Sequence, residues 1–287
     1  MTRQIAILSG KGGAGKTSIT AAVVKLMDSV VAVDADVNAS NLPILLPHRL
    51  QTSEPYYGMD IAKLEHEKCF GCGACLAVCR FDAISPTAGG EIQISSDCEG
   101  CACCAFVCPE GAITMVQRKG GEHYLSTIDN GYLVHADLIP GEDNSGKLIT
   151  RIRTEASKVA KERDIAYIVI DGPPGISCQA ISSITGTDLV LAVVEESLSG
   201  LSDYCRLAEL VNKFAIPHRV LLNKTGFSES IAARIVQSVE HFGGQIVGRI
   251  PFDHRIPQAL QHLQCLSDMD EYKGIIASLL DKLLEDP

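Results

Sequence analysis

Residues 10–17 read GKGGAGKT, between an apolar run (Ile5, Ala6, Ile7, Leu8) and an Ala/Val/Ile-rich segment, and they constrain the chain more than any other feature. The flanks read as a buried strand and a helix, which places the glycines in a strand–loop–helix unit. Gly10, Gly12, Gly13 and Gly15 lack the Cβ atoms that would keep backbone amides from wrapping an anion. The helix begins near Gly15, so its free N–H groups and its dipole face that anion. Lys16 supplies positive charge for the outer phosphates, and Thr17 a hydroxyl for Mg²⁺. Gly10, Gly12 and Gly15 also fit the dinucleotide pattern GxGxxG. A pyrophosphate held by backbone amides needs neither Lys16 nor Thr17, so a P-loop for a nucleoside triphosphate is the fuller reading.

Two further strand ends supply acids. Residues 30–35 (VVAVDA) read as a buried strand that delivers Asp34 and Asp36 to the loop NASNLPILLP. Carboxylates at the carboxyl end of a parallel strand, beside a phosphate loop, are where Mg²⁺ or an attacking water is handled. Asp34 is expected to cap the strand end and contact Thr17 or the metal. Residues 166–171 (AYIVID) form another such strand and run into GPPG. Asp171 is placed to hold a Mg²⁺ water, with Gly172 and Gly175 free to follow the γ-phosphate. Between these strands, residues 123–138 (HYLSTIDNGYLVHADL) read as a hairpin with a primed turn at Asn130-Gly131. The polar stretch 140–147 (PGEDNSGK) reads as a connector, and strands at 188–194, 219–222 and 245–250 alternate with helices to the end.

The cysteines divide the chain differently. Twelve are present, and residues 69–79 and 98–108 both match C-x₂-C-x₂-C-x₃-C, about 29 residues apart. A cytosolic chain keeps its thiols reduced, so this pattern points to metal rather than disulfides. Tight spacing lets three thiolates converge on one small cluster while the fourth is thrown outward. Zinc is the rival ion for any CxxC array. The repeat departs from itself twice: Pro109 follows the last cysteine of the second copy, where the first has Arg80, and Cys103 adds a thiol beside Cys104. A composition break at about Asp60 marks the start of this region, and the expected boundaries are residues 60–118 for it and 1–59 with 119–287 for the P-loop domain.

Composition excludes several classes. At 287 residues the chain holds one large domain and a small one. A hydrophobic content of 46% with 5% aromatics suits an Ala/Val/Ile/Leu-packed α/β core. The net charge of −10, with no Lys/Arg-rich run, argues against a nucleic-acid surface. The first apolar run ends at Leu8, and no run approaches the ~18 residues of a membrane span, so a soluble cytoplasmic protein is expected. The last helix, residues 272–284, has acidic flanks (Asp268, Asp270, Glu271, Glu285, Asp286), which favours core packing over membrane binding.

The paired lysines of KGGAGKT resemble the deviant Walker A motif of the MinD/ParA class, which includes partition ATPases, the nitrogenase iron protein and the Mrp-type iron–sulfur carriers. The resemblance implies a mostly parallel α/β sheet with helices on both faces and an ATP–Mg²⁺ site. It implies that Lys11 reaches the partner's phosphates across a nucleotide-sandwich homodimer, or beside a paralogous subunit, and that Asp36 positions the attacking water. It also implies that Asn223, in LNK at 222–224, hydrogen-bonds adenine and that Pro251 belongs to the segment covering the base. Cys178 lies where the nitrogenase iron protein has a dimer-bridging cluster ligand. No second such cysteine exists at 140–147, so Cys178 is expected to be a core or redox-silent residue.

The cysteine repeat resembles bacterial two-cluster ferredoxins, whose fourth cysteine serves the other cluster. That carry-over assigns Cys69, Cys72, Cys75 and Cys108 to one 4Fe–4S centre, and Cys98, Cys101, Cys104 and Cys79 to the other. The whole therefore resembles a MinD-superfamily ATPase with an inserted ferredoxin-like α+β domain. Three functions are open: an ATPase cycle coupled to electron transfer to a redox partner, cluster assembly or delivery to a client protein, and a partition switch with structural clusters. The first is favoured, because two closed thiolate sets suit electron transfer better than donation.

Overall fold

The computed structural model describes residues 2–142 and 145–285. Asp143 and Asn144 of the polar stretch, and Asp286 at the acidic end, lie outside them. The chain opens with β1 (Arg3–Ser9), α1 (Lys16–Leu26), β2 (Val30–Asp34), the single turn α2 (Leu42–Leu45) and a long β3 (His48–Leu64). Short pieces follow: α3 (Ala74–Val78), β4 (Ile84–Pro86), β5 (Ile92–Ile94) and α4 (Cys103–Val107). A long β6 (Ile113–Ile128) leads into β7 (Gly131–Leu138) and α5 (Ser145–Glu162). Then come β8 (Tyr167–Pro174), α6 (Cys178–Ile184), β9 (Leu189–Glu195), α7 (Leu198–Lys213), β10 (His218–Thr225) and α8 (Glu229–His241). The chain closes with β11 (Gln245–Pro251), α9 (Arg255–Gln261) and α10 (Asp270–Leu284).

Two compact units result. The larger takes Met1–Glu54, Glu122–Leu138 and Ser145–Pro287; the smaller takes Pro55–Gly121 and Ile139–Asn144. The larger is built on a sheet of order β11-β10-β9-β1-β8-β2-β7-β6-β3, whose first seven strands pair in parallel. Each parallel strand is nearly continuously apolar because both its faces are covered. Ile5, Ile7, Ala32, Val169, Leu189 and Leu191 share one core with α1 and with Ile276, Leu279 and Leu283 of α10. The alternate residues Ala6, Leu8, Val31, Val33, Ile168 and Ile170 are as deeply buried, on the side packed by α5 and α6. The acidic C-terminal helix therefore uses its apolar face for the core, as its flanks suggest. Among the described residues no helix is long and apolar enough to cross a membrane.

The strands at 48–64 and 113–128 differ most from the sequence reading, because neither segment alternates cleanly enough to announce a strand of that length. The hairpin is present, but its turn lies one residue earlier. Asp129 and Asn130 form it, Gly131 is already the first residue of β7, and Asn130 does not adopt positive φ, so the turn is not primed. Asn130 instead donates from Nδ2 to the carbonyls of Val24 and Met27 (both 2.6 Å), closing the end of α1. A Cβ at Gly131 would stand 1.9 Å from the Val30 carbonyl oxygen, so close pairing with β2 excludes any side chain there.

One buried histidine makes a stability prediction. His135 on β7 is 8% exposed, stacks on the Tyr124 ring with centroids 4.8 Å apart, and has no hydrogen-bond partner for Nε2. Burial, then the neighbouring His48, pushes its pKa from 6.5 down to about 4. The unfolded chain therefore binds a proton between pH 6.5 and 4 that the native state refuses. Its stabilising contribution is complete above pH 6.5 and falls by on the order of 2–3 kcal/mol as pH drops towards 4. Urea titrations should show His135→Phe losing less stability over that interval than the parent chain.

Candidate functional site

The glycine loop and the acids Asp34, Asp36 and Asp171 sit at the carboxyl ends of the parallel strands β1, β2 and β8. β1 pairs with both β8 and β9, so the loop after β1 leaves the sheet where successive connections diverge, the place where open α/β sheets bind ligands. Gly13 (φ 79°) and Gly15 (φ 93°) hold the loop in left-handed conformations, and α1 starts at Lys16. A Cβ on Gly15 would also meet Asn223 Nδ2 at 2.4 Å, whereas one on Gly12 or Gly13 would meet nothing within 4 Å. Gly15 is thus required by the fold. Gly12 and Gly13 line the cavity, and a Cβ on either would project into open space.

That cavity has a volume of about 480 Å³. Gly12, Gly13, Gly15, Lys16, Thr17 and Asp36 line its phosphate end, and Asn223, Pro251, Phe252, Ile256, Pro257 and Leu260 its apolar end. The polar groups of the first end converge on Asp171. Its Oδ1 pairs with Lys16 Nζ (2.9 Å) and accepts from Thr20 Oγ1 (2.7 Å); its Oδ2 accepts from Thr17 Oγ1 (2.7 Å). Lys16 is 6% exposed and Asp171 1%, so this is a buried ion pair in which both carboxylate oxygens have partners. A lysine, a hydroxyl and a carboxylate on two adjoining elements suit a triphosphate and its Mg²⁺, which takes few protein ligands.

Asp34 is fully buried beside Asp171, its register partner across β2 and β8. It caps the strand end, accepting from the Asp36 amide (3.0 Å), Ser40 Oγ (3.0 Å) and the Leu42 amide (2.9 Å). Burial first, and the charge of Asp171 second, push its carboxyl up to about 7. Burial also raises the Asp36 carboxyl, against the pull of the Lys16 charge. Asp36 lines the cavity, within the field of both Lys16 and Asp171.

Three expected residues are placed less directly. Lys11 is not among the cavity's lining residues; its Nζ pairs with Glu195 Oε2 (3.0 Å) at the end of β9 and donates to Ser199 Oγ (2.8 Å). Asn223 lines the cavity, but its Nδ2 donates to the Ala14 carbonyl (2.8 Å) and its Oδ1 accepts from the Lys224 amide (2.9 Å), so its amide braces the loop. Pro251 ends β11 and lines the apolar end with the residues after it. Sequence reasoning missed Thr20, Glu195 and Lys224, whose Nζ donates to the Gly13 carbonyl (2.8 Å). Only Thr20 carries a signal, lying one helical turn after Lys16 on the same face.

The smaller unit is an internal repeat in its backbone as well as its sequence. Positive φ recurs at a constant offset: Gly71 and Gly100 (77° and 65°), Gly73 and Ala102 (74° and 62°), Asp82 and Gly111 (53° and 58°). Its core contains Cys75, Cys104, Ile84 and Ile113, with Cys69, Cys79, Cys98 and Cys108 packed against it; Cys72 and Cys101 are exposed. Backbone amides of Ala62 and Ala112 donate to the sulfurs of Cys98 (3.4 Å) and Cys108 (3.3 Å). Cys79, Cys98, Cys101, Cys103 and Cys104 line one cavity of about 20 Å³ together with Phe81, Ala83 and Ile84. No disulfide links any of them. The donor chemistry fits a thiolate-held metal group, although among the described residues no three such side chains close into a metal-binding group.

The remaining cysteines lie in the larger unit. Cys265 is buried, its thiol 3.8 Å from the Leu45 carbonyl oxygen. Cys205 is half-buried in α7. Cys178, expected in the core or redox-silent, is exposed as the first residue of α6. It is not a core residue, because the turn after Pro174 leaves the start of α6 at the surface.

Comparisons with known proteins agree with this geometry. The family described as the CobQ/CobB/MinD/ParA nucleotide binding domain matches residues 5–265. An uncharacterized protein of Methanocaldococcus jannaschii is 34% identical over 98% of this chain and 96% of its own length. The iron-sulfur cluster carrier protein of the same organism is 24% identical over 98% of this chain and 84% of its own. Among solved structures, the septum site-determining protein MinD of Pyrococcus horikoshii complexed with Mg-ADP superposes with a TM-score of 0.56 at 19% identity, covering 99% of this chain and 97% of its own. With a P-loop and two strand-end acids on a mostly parallel sheet, the chain belongs to the CobQ/CobB/MinD/ParA nucleotide-binding family and is a P-loop ATPase of the MinD/ParA type.

Proposed function

We propose that this ATPase is an iron–sulfur protein that couples its nucleotide cycle to electron transfer through two 4Fe–4S clusters held in a ferredoxin-like insert at residues 60–118. The observation that carries the reading is the repeated backbone of the smaller unit, which turns corresponding cysteines to corresponding places: Cys75 and Cys104 inward, Cys72 and Cys101 outward. Cys69, Cys72, Cys75 and Cys108 would hold one centre, and Cys98, Cys101, Cys104 and Cys79 the other. Such groups supply one-electron transfer when bound. In the larger unit Gly12, Gly13, Gly15, Lys16 and Thr17 would bind ATP, with Thr17 and Asp171 at Mg²⁺, Asp36 at the attacking water and Asn223 and Pro251 near the base. The protein acts in the cytoplasm as a nucleotide-dependent homodimer, or with a paralogous subunit, towards a redox partner rather than nucleic acid or membrane.

Cluster delivery to a client protein is the second reading, favoured by the relative named as an iron-sulfur cluster carrier. Anaerobically purified protein should contain about eight iron and about eight sulfide per chain. Cys72→Ser should lose about half of each, and Cys205→Ser none. Zinc in place of iron after anaerobic reconstitution would overturn both readings. Retention of iron through cycles of reduction and oxidation beside an apo-ferredoxin supports electron transfer, and loss of iron to that acceptor supports delivery.

A further inference from the structure

We propose that Cys103 is interchangeable with Cys101 as a ligand of the second cysteine set, so that this set draws four ligands from five available thiols. The inference rests on the iron–sulfur reading above. Five cysteines, not four, are among the residues lining the small cavity of the second repeat, and Cys103 is the one outside the C-x₂-C-x₂-C-x₃-C spacing. Cys101 and Cys103 line the same surface cleft, and both residues are exposed. Cys104, in contrast, is 7% exposed within the apolar core. Cys104 is therefore fixed by packing, while Cys101 and Cys103 are neighbouring surface thiols on the same rim.

The first repeat has no such reserve. Cys103 begins α4 after the left-handed Ala102, and the equivalent residue, beginning α3 after the left-handed Gly73, is Ala74. The other departure from the repeat, Arg80 in place of proline, lies at the same spot: Arg80, Cys101, Cys103 and Phe106 line one surface cleft. Both asymmetries of the sequence thus meet at the outer edge of the second set, where a cation stands beside the surplus thiol. The exchange needs no oxidant. As the Cys103 sulfur forms its bond to iron, the Cys101 sulfur releases its own, and the thiol proton of Cys103 passes to Cys101.

The test uses the full chain, purified anaerobically and reconstituted with iron and sulfide, with iron, acid-labile sulfide and the EPR spectrum of the reduced protein as readouts. Cys101→Ser should keep both centres, whereas Cys101→Ser/Cys103→Ser should lose about half of the iron, as Cys72→Ser does. Adding Ala74→Cys to Cys72→Ser should restore the first centre. A second measurement needs no variant: limited alkylation of the wild-type holoprotein, read by mass spectrometry, should divide the label carried by the second repeat between Cys101 and Cys103, with exposed Cys178 labelled independently. Loss of half the iron in Cys101→Ser from a wild type that holds both centres would overturn the exchange and leave the iron–sulfur reading standing. Label confined, within that repeat, to Cys103 would do the same. A wild type without iron would remove both.

Discussion

Lys16→Ala is expected to lower ATP hydrolysis by about two to three orders of magnitude, read as phosphate release at saturating Mg-ATP. Lys16 is the buried cation at the phosphate end of the cavity, fixed by Asp171 at 2.9 Å. Charge developing on the outer phosphates is stabilised by groups already in place, and this lysine is the one whose ammonium the fold has desolvated. The variant also loses stability, because Asp171 is left as a buried carboxylate with only the Thr17 and Thr20 hydroxyls. Breaking one side of a buried pair costs about 3–5 kcal/mol. Lys16→Ala/Asp171→Asn separates the two effects: it should recover much of the melting temperature and none of the hydrolysis. Wild-type turnover in the single variant would remove Lys16 from the chemistry.

What was legible in the sequence follows from how local its physical cause is. The P-loop, the buried parallel strands and the acids at their ends could be read because each is specified within a few residues, by glycine, by apolar runs and by position. Asp171 could be named, but not its bond to Thr20, since that contact joins residues 151 apart in sequence. The turn at Asp129-Asn130 was displaced for a similar reason. Asn-Gly signals a primed turn in isolation, but here Asn130 is claimed by the end of α1 and Gly131 by close pairing with β2. The long β3 and β6 could not be read from periodicity, because most of β3 is exposed and shows no apolar alternation. In the smaller unit the cysteine spacing announced the repeat. The left-handed Ala102 did not show, because alanine rarely adopts that conformation and only its alignment with Gly73 reveals it.

Lys11→Ala should abolish hydrolysis about as fully as Lys16→Ala, although Lys11 does not line the cavity of its own chain. Its present contacts are the Ser199 hydroxyl at 2.8 Å and the Glu195 carboxylate at 3.0 Å, an ion pair in which the lysine is one-third exposed and the glutamate one-quarter. Ion pairs so open to solvent are worth about 0.2–1 kcal/mol, too little to hold the lysine against a charge-assisted bond to phosphate. The proposal is that Lys11 leaves Glu195 and completes the site of a second copy, while Asp36 serves the site of its own chain. Mixing then gives a quantitative result. In a dimer of Lys11→Ala with Asp36→Ala, one site has lost both groups and the other has kept both. Random pairing of equal amounts makes half the dimers mixed, each with one working site, so turnover should return to about one quarter of wild type. Each variant alone should stay inactive. Lysine and aspartate acting within one chain would give no recovery at any ratio, and unchanged hydrolysis in Lys11→Ala would leave the residue as the surface ion pair with Glu195.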